Sequence, residues 1–505
     1  MSAASAPVPA RYRIEPTVLQ ALRSPRLLTR EVLAGLVVAV ALIPEAIAFS
    51  VVAGVDPRVG LFSSFVLAVV IAFTGGRPAM ITAAAGAVAL VIAPVSREYG
   101  PDYLIATVLL AGVIQILLAV FGVAKLMRFI PRSVMVGFVN ALAILIFVSQ
   151  VPQLIDVPWA VYVLVVVGVA VIYLWPRVTR AVPAPLIAVV LLTAAVVVFG
   201  ITVPNVGDQG ELPRSFPELL IPHVPLTVET LRIIAPYALA AALVGLLESL
   251  MTAKLVDDIT DSRSSKTREA WGLGVANLFS AFFGGTGGCA MIGQTMIGVK
   301  ASGARTRIST LMAGVFVLVL VVLLGDVVAV IPMVALVAVM IVVSVSTFDW
   351  HSIRPSTLRR MPVSETVVMV VTVGFTVWTH NLAIGVVLGV LTAMVLFARR
   401  VARFATVTRT VDADAAEPIA HYRVTGELFF ASSNDLTTQF EYAADPDRVV
   451  IDLSGAHIWD ASTVAALDAI TTKYERRGKT VTLEGMTDRT AAFHRRLTGE
   501  LGGEG

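Results

Sequence analysis

Apolar runs dominate the first four-fifths of the chain, and short polar turns rich in Pro, Gly and Arg separate them. A bilayer core takes about 20 apolar residues per helix. On that measure the pattern predicts spans near 32–53, 59–75, 102–124, 131–151, 157–175 and 183–202 in a first half. It predicts 230–256, 268–284, 308–330, 331–347, 363–380 and 382–402 in a second. The pair meeting at Ile331-Pro332 also reads as one long span. Two more apolar stretches, about 80–95 and 290–303, are short and interrupted, and they occupy corresponding places in the two halves. Counting them gives fourteen segments, seven plus seven. With an odd number in each half, the second half enters the membrane from the opposite side, which makes an inverted repeat.

After Phe404 the pattern changes. Alternation of apolar and polar residues in His421–Phe430, Val449–Leu453 and Thr480–Glu484 predicts strands. Helical periodicity over 434–443, 461–476 and 489–497 predicts helices between and after them. Strands alternating with helices make a small α/β layer domain. The expected organisation is a polar arm over 1–30, a transmembrane domain over 31–404 and the α/β domain over 415–498. The repeats cover about 31–202 and 229–404, and a disordered tail covers 499–505.

Charge fixes the orientation. With alternating sides, nearly all Lys and Arg between the spans fall on the side of the N-terminal arm, and only Arg58, Arg97, Arg214 and Arg232 fall opposite. The positive-inside rule then puts both termini in the cytoplasm of a plasma-membrane protein. Composition adds little: 57% hydrophobic and 14% charged residues describe a polytopic membrane protein with a polar appendix. The first thirty residues carry five Arg and no long apolar core, so no signal peptide is expected. The single Cys excludes an internal disulfide. The basic residues lie between apolar segments, which argues against a nucleic-acid partner.

The candidate chemistry sits at the two interrupted stretches. Ala281-Phe-Phe-Gly-Gly-Thr-Gly-Gly-Cys-Ala-Met-Ile-Gly-Gln-Thr295 shares with Ala72-Phe-Thr-Gly-Gly-Arg-Pro-Ala-Met-Ile-Thr82 the sequence Ala-Phe-x-Gly-Gly, a gap, then Ala-Met-Ile. Broken hydrophobic segments at matching places in two halves point to a transporter binding site. Backbone freed from helical bonding survives at membrane depth only when buried in protein or lining a cavity. The half-helix after each break aims its N–H groups and positive dipole end at the gap, which suits an anion. Thr82 with Ala83 are expected at the start of the first half-helix. Gln294 and Thr295, after Ala290, Met291 and Ile292, are expected at the start of the second. Close packing by small residues is the competing reading of the glycines.

Each stretch comes after a carboxylate set in apolar surroundings, Glu45 in Ala41-Leu-Ile-Pro-Glu-Ala-Ile-Ala-Phe49 and Glu248 in Leu246-Leu-Glu-Ser-Leu-Met-Thr252. Burying an acid in a membrane is costly, so its presence marks function; a hydrogen bond to a neighbouring helix is the structural alternative. Ionised, these acids repel an anion; a proton removes the repulsion. Proton and anion then favour each other's binding, which is symport. Thr252 shares a helical face with Glu248, and sodium held by those oxygens is the competing reading. No cofactor is expected. Nor is an enzyme: Gly284–Gly288 lacks the Lys-Ser/Thr that a phosphate loop needs. In the tail, Asp460-Ala-Ser-Thr463 opens a helix, with Asp460 or Ser462 as its cap. A phosphate on Ser462 at that N-terminus is electrostatically reasonable.

These residues resemble the sulfate permease (SulP) family of anion transporters. The matching pieces are Ile43-Pro-Glu-Ala-Ile-Ala-Phe49, Ala53-Gly-Val-Asp-Pro57 and Gly60-Leu-Phe-Ser-Ser64. Further on they are Glu269 with Gly274, Asn277, Gly284 and Gly285, then Val299-Lys-Ala-Ser-Gly-Ala-Arg-Thr306. The tail resembles a STAS domain through Val450-Ile-Asp-Leu-Ser-Gly455 and Trp459-Asp-Ala-Ser462. The resemblance implies core and gate domains, elevator-like alternating access and a homodimer. It also implies a site built by the first, third, eighth and tenth segments and a possible cytoplasmic protein partner for the STAS domain. The family often has Gln where Glu45 stands and a basic residue where Gln294 stands. Those departures favour proton-coupled uptake of a dicarboxylate such as fumarate. Sodium-coupled bicarbonate or sulfate transport, or an anion channel or motor, is the alternative. In the STAS motif Ala461 and Thr463 replace the usual Ser and Gly, while Ser462 keeps the position phosphorylated in soluble relatives.

Overall fold

The computed structural model describes residues 15–122, 125, 130–179, 183–210, 216–402, 405–412 and 418–498. The expected tail over 499–505 and the start of the N-terminal arm lie outside them. The chain divides into two compact units, Met1–Val390 and Leu391–Gly505, with the division inside the last long apolar helix.

The first unit is helical because apolar sequence in a bilayer must satisfy its backbone within each segment. Its first half holds α1 (Val18–Arg23), α2 (Pro25–Ala53), α3 (Pro57–Thr74), β1 (Thr82–Ala83) and α4 (Gly86–Tyr99). It continues with α5 (Pro101–Val120), α6 (Arg132–Gln150), α7 (Trp159–Leu174) and α8 (Ala184–Phe199). The second half holds α9 (Val228–Thr260), α10 (Lys266–Phe282), β2 (Cys289–Ala290) and α11 (Ile292–Met296), which runs on as a π-helical turn over Ile297–Ala301. Next come α12 (Arg307–Ala329), α13 (Met333–Thr347), α14 (Pro355–Arg360), α15 (Val363–Thr379) and α16 (Leu382–Ala402). Among the described residues, eight helices are long and apolar enough to cross a membrane, and α8, α13 and α15 are shorter apolar helices. Each predicted span coincides with a helix, and each interrupted stretch is a two-residue strand leading into a helix. The junction at Ile331-Pro332 separates α12 from α13.

Punctuation obeys local chemistry. Pro25, Pro57 and Pro101 stand at the first turns of α2, α3 and α5, where the missing N–H has no intrahelical partner in any case. The helices sort into two packing groups. One contains α2–α5 with α9–α12; the other contains α6–α8 with α13 and α15. In the first group α5 and α10 touch backbone to backbone. A Cβ on Gly112 would lie 2.9 Å from the Gly274 carbonyl oxygen, and one on Gly274 would lie 2.7 Å from that of Gly112. Such close approach is how helices associate where lipid offers no hydrophobic drive.

The second unit contains a four-stranded sheet in the order β3 (Thr406–Asp412), β4 (Ile419–Leu428), β5 (Arg448–Ile458), β6 (Thr480–Glu484). The first pair is antiparallel and the next two are parallel. The helices are α17 (Phe430–Leu436), α18 (Ala461–Glu475) and α19 (Asp488–Leu497). Two features differ from the sequence expectation. The helix expected over 434–443 is the shorter, earlier α17. The edge strand β3 went unread, although Thr406-Val-Thr-Arg-Thr-Val-Asp412 is rich in β-branched residues. Buried Asp445 ties this unit together. It accepts hydrogen bonds from Tyr422 Oη (2.6 Å) and Tyr474 Oη (2.5 Å) and an ion pair from Arg409 (2.7 Å). Burial, reinforced by that carboxylate, pushes both tyrosine hydroxyls up.

Candidate functional site

The two interrupted stretches meet. β1 and β2 pair antiparallel, with Thr82 opposite Ala290 and Ala83 opposite Cys289. The Met291 N–H extends the pairing to the Ile81 carbonyl at 2.8 Å, and Thr295 Oγ1 accepts from the Ile81 N–H at 3.0 Å. Because the strands run in opposite directions, α4 and α11 leave the crossing on opposite sides, each with its N-terminus at the centre. The residues preceding these helices, Ala85 and Met291, offer no side-chain cap. The first-turn N–H groups are therefore left for another acceptor.

The carboxylates lie beside this crossing. Glu45, in α2 just after Pro44, is 9% exposed, and the Gln294 side chain hydrogen-bonds it. Glu248, in α9, is 7% exposed, and Cys289 Sγ donates to its Oε2 at 2.9 Å. One α9 neighbour braces β2: Ser249 Oγ accepts from the Ala290 N–H at 2.9 Å. The Thr252 hydroxyl donates to the Glu248 main-chain carbonyl at 2.8 Å and reaches the Ala290 carbonyl at 3.5 Å. Opposite, Ser64 of α3 accepts from the Ala84 N–H at 3.2 Å. The Thr82 hydroxyl is fully buried and has no hydrogen-bond partner. Gly293 is exposed, and a Cβ there would meet nothing within 4 Å.

Glu45, Glu248, Thr252, Ala290, Met291, Ile292, Gln294 and Thr295 thus lie in or beside the crossing, with Ala290 in the strand, Met291 at the N-cap of α11 and Ile292 opening it. One placement needs correction. Thr82 and Ala83 are not the start of the first half-helix; they form β1, and α4 begins at Gly86. The shared Ala-Met-Ile triplet misled, since it falls before the strand in one copy and spans strand and helix start in the other. The residues missed are therefore Ala84, Ala85 and Gly86.

Sequence reasoning also passed over the carboxylate of Glu31 and gave that of Glu269 no role. Both are fully buried. Glu31 accepts the N–H groups of Arg305 (2.8 Å) and Thr306 (3.0 Å), and Glu269 Oε2 accepts those of Gly76 (2.7 Å) and Arg77 (2.9 Å). Each acid anchors a loop flanking one interrupted stretch. Their positions at span edges, among basic residues, look like surface in the sequence. In the second unit Asp460 caps α18, accepting the Thr463 N–H at 3.0 Å, while Ser462 is exposed in the first turn.

Comparison with known proteins gives a consistent result. The pattern described as Sulfate permease family matches residues 28–161 and 152–372, and that described as STAS domain matches 410–498. YbaR of Bacillus subtilis, provisionally named a sulfate transporter, is 47% identical over 468 residues, covering 93% of this chain and 96% of YbaR. The bicarbonate transporter BicA of Picosynechococcus is 25% identical over 492 residues, covering 87% of this chain and 86% of BicA. The structure of the murine anion transporter Slc26a9 superposes with a TM-score of 0.80 at 17% identity, over 96% of this chain and 88% of that one.

Proposed function

Since the chain belongs to the sulfate permease family, and is thus a multi-pass membrane transporter of anions with a C-terminal STAS domain rather than an enzyme, we propose that it is a secondary transporter of a small oxyanion, bicarbonate or sulfate, bound at the β1–β2 crossing. The observation that carries this reading is the pair of helix N-termini without side-chain caps, set among the apolar helices beside two buried carboxylates. Donors aimed at one place supply the attraction. Protonation of Glu45 and Glu248 removes the repulsion, so a proton and the anion enter together. The names of the relatives favour bicarbonate or sulfate over the fumarate reading, which now stands second.

The same reading extends to motion. The group α2–α5 with α9–α12 is the moving core, and α6–α8 with α13, α15 and α16 is the gate, each drawing on both inverted repeats, in elevator-like exchange. Placing both termini on the cytoplasmic side of the plasma membrane fits the charge bias, and a homodimer is what the family resemblance implies. Sodium in place of the proton remains the specific competitor. The Thr252 hydroxyl and the main-chain carbonyls of Glu248 and Ala290 gather hard oxygens at one point, on the helix that also carries the Glu248 carboxylate.

The test is uptake of radiolabelled sulfate, bicarbonate and fumarate into proteoliposomes, with an inward proton gradient imposed and sodium varied separately. Sulfate or bicarbonate uptake that rises with the proton gradient and ignores sodium is the expected result. Sodium-driven uptake moves Glu248 and Thr252 to a cation site. Absence of uptake of all three by folded protein overturns the reading.

A further inference from the structure

On the transport reading above, we propose that Asn277 is a positioning residue for the Glu248 side of the anion site, with Gln115 as its brace. Asn277 lies in α10 and is 3% exposed; Gln115 lies in α5 and is 1% exposed. The Asn277 side chain grips both backbone groups of one residue. Its Oδ1 accepts the Gly288 N–H at 2.8 Å and its Nδ2 donates to the Gly288 carbonyl at 3.2 Å. Nδ2 also donates to Gln115 Oε1 at 2.8 Å, and Gln115 Nε2 donates on to the Ala242 carbonyl of α9 at 3.4 Å. Four segments are tied at one point, and that point lies immediately before β2.

The two residues of β2 depend on this tie. Cys289 gives its thiol to Glu248 and Ala290 gives its N–H to Ser249. In a two-residue strand a shift of one position turns each side chain to the other face. Gly288 has little slack of its own. A Cβ there would lie 2.0 Å from the Ala83 carbonyl oxygen, and α9 is flush with it: a Cβ on Gly245 would lie 3.0 Å from Gln115 Nε2 and 3.7 Å from the Gly288 carbonyl oxygen. Asn277 thereby fixes which face of β2 meets Glu248. Its amide is suited to this because it carries both an acceptor and a donor. A carboxylate at the same place keeps the acceptor and sets negative charge against the Gly288 carbonyl.

The site's own cysteine, the single one in the chain, gives a readout independent of transport. The experiment compares wild type, Asn277→Ala, Asn277→Asp and Gln115→Leu, each purified as a monodisperse protein. Maleimide labelling of Cys289 is monitored by mass, and anion uptake is measured against pH and anion concentration. Asn277→Ala is expected to label at least tenfold faster, to raise the anion KM more than it lowers maximal uptake, and to flatten the pH profile as Glu248→Gln does. Adding Asn277→Ala to Glu248→Gln should flatten it no further. Asn277→Asp and Gln115→Leu should shift in the same direction by less, and they carry the test if Asn277→Ala does not fold. Unchanged Cys289 labelling in all three variants overturns the proposal. So does faster labelling with an unaltered pH profile and KM, since the strand is then held by Asn277 without setting the site. No uptake by wild-type protein overturns the transport reading itself, and the labelling result tells the two failures apart.

Discussion

The two halves of the crossing look alike in backbone and differ in chemistry. On the β1 side the chain runs Thr82-Ala-Ala-Ala-Gly86 into an α-helix, braced by the hydroxyls of Ser64, Thr295 and Thr310. On the β2 side it runs Gly288-Cys-Ala-Met-Ile292 into a helix that turns π-helical after five residues, and Asn277, Gln115 and Ser249 hold the strand. Glu45, which packs from α2, is met by an amide of α11; Glu248, from α9, is met by a thiol of β2. The π turn distinguishes this side further, since such turns are frequent at functional sites. A simple duplicated cradle would have the same brace on both sides. This one pairs a plain donor platform at α4 with a polar, adjustable arm at α11. Glu45 with its amide partner and Glu248 with its thiol partner therefore need not be equivalent across the two sides.

The severest way to break the comparison is Gly288→Ala. With the Ala83 carbonyl oxygen 2.0 Å from the new Cβ, the two strands cannot stay paired. Transport is expected to fall to background, read on detergent-purified protein that is shown to be monodisperse. Uptake retained at about a tenth of wild type or more would mean that the ribbon does not hold the site.

The acids sharpen it next. If a proton removes the repulsion, wild-type uptake rises as pH falls, and Gln, which stays neutral, mimics the protonated acid at every pH. Glu248→Gln should therefore lose most of the pH dependence. Glu45→Gln should lose less, because the Gln294 amide that engages its carboxyl is a stronger donor than the Cys289 thiol that engages Glu248. Uptake by each variant across pH 5.5 to 8 at fixed gradient checks the order. Equal flattening would make the two sides equivalent after all, and two unchanged profiles would remove both acids from coupling.

How much of this is visible in the sequence depends on the physical signal. Spans are legible because hydrocarbon enforces long apolar runs, and Glu45 and Glu248 are legible because an acid in such a run is conspicuous. The register of the crossing is not. It depends on which backbone groups pair across some two hundred residues of chain, and the repeated Ala-Met-Ile suggests an alignment that the pairing of Thr82 with Ala290 replaces. Asn277 stands out only as part of a family pattern, since a small amide in a helix reads as packing until its three hydrogen bonds are seen. Glu31 is hidden by its setting: Arg30 beside it suggests a surface ion pair, whereas its buried carboxylate holds the two residues before α12, Arg305 and Thr306.

The smallest expected effect is also the most specific. Gly293 sits in the first turn of α11, next to Gln294, and a methyl group there projects into open space. Its helical setting imposes no positive φ, so Gly293→Ala should leave the fold intact and even gain about 0.5–1 kcal/mol of helix propensity. The methyl does change the path by which an anion reaches the free N–H groups of that turn. An anion KM raised about two- to threefold, with thermal stability unchanged or slightly higher, is expected, and the larger sulfate should suffer more than bicarbonate. An unchanged KM for both would mean that the anion does not approach α11 through this opening. The α4 platform alone would then carry recognition, and the adjustable arm would serve only the coupling acid.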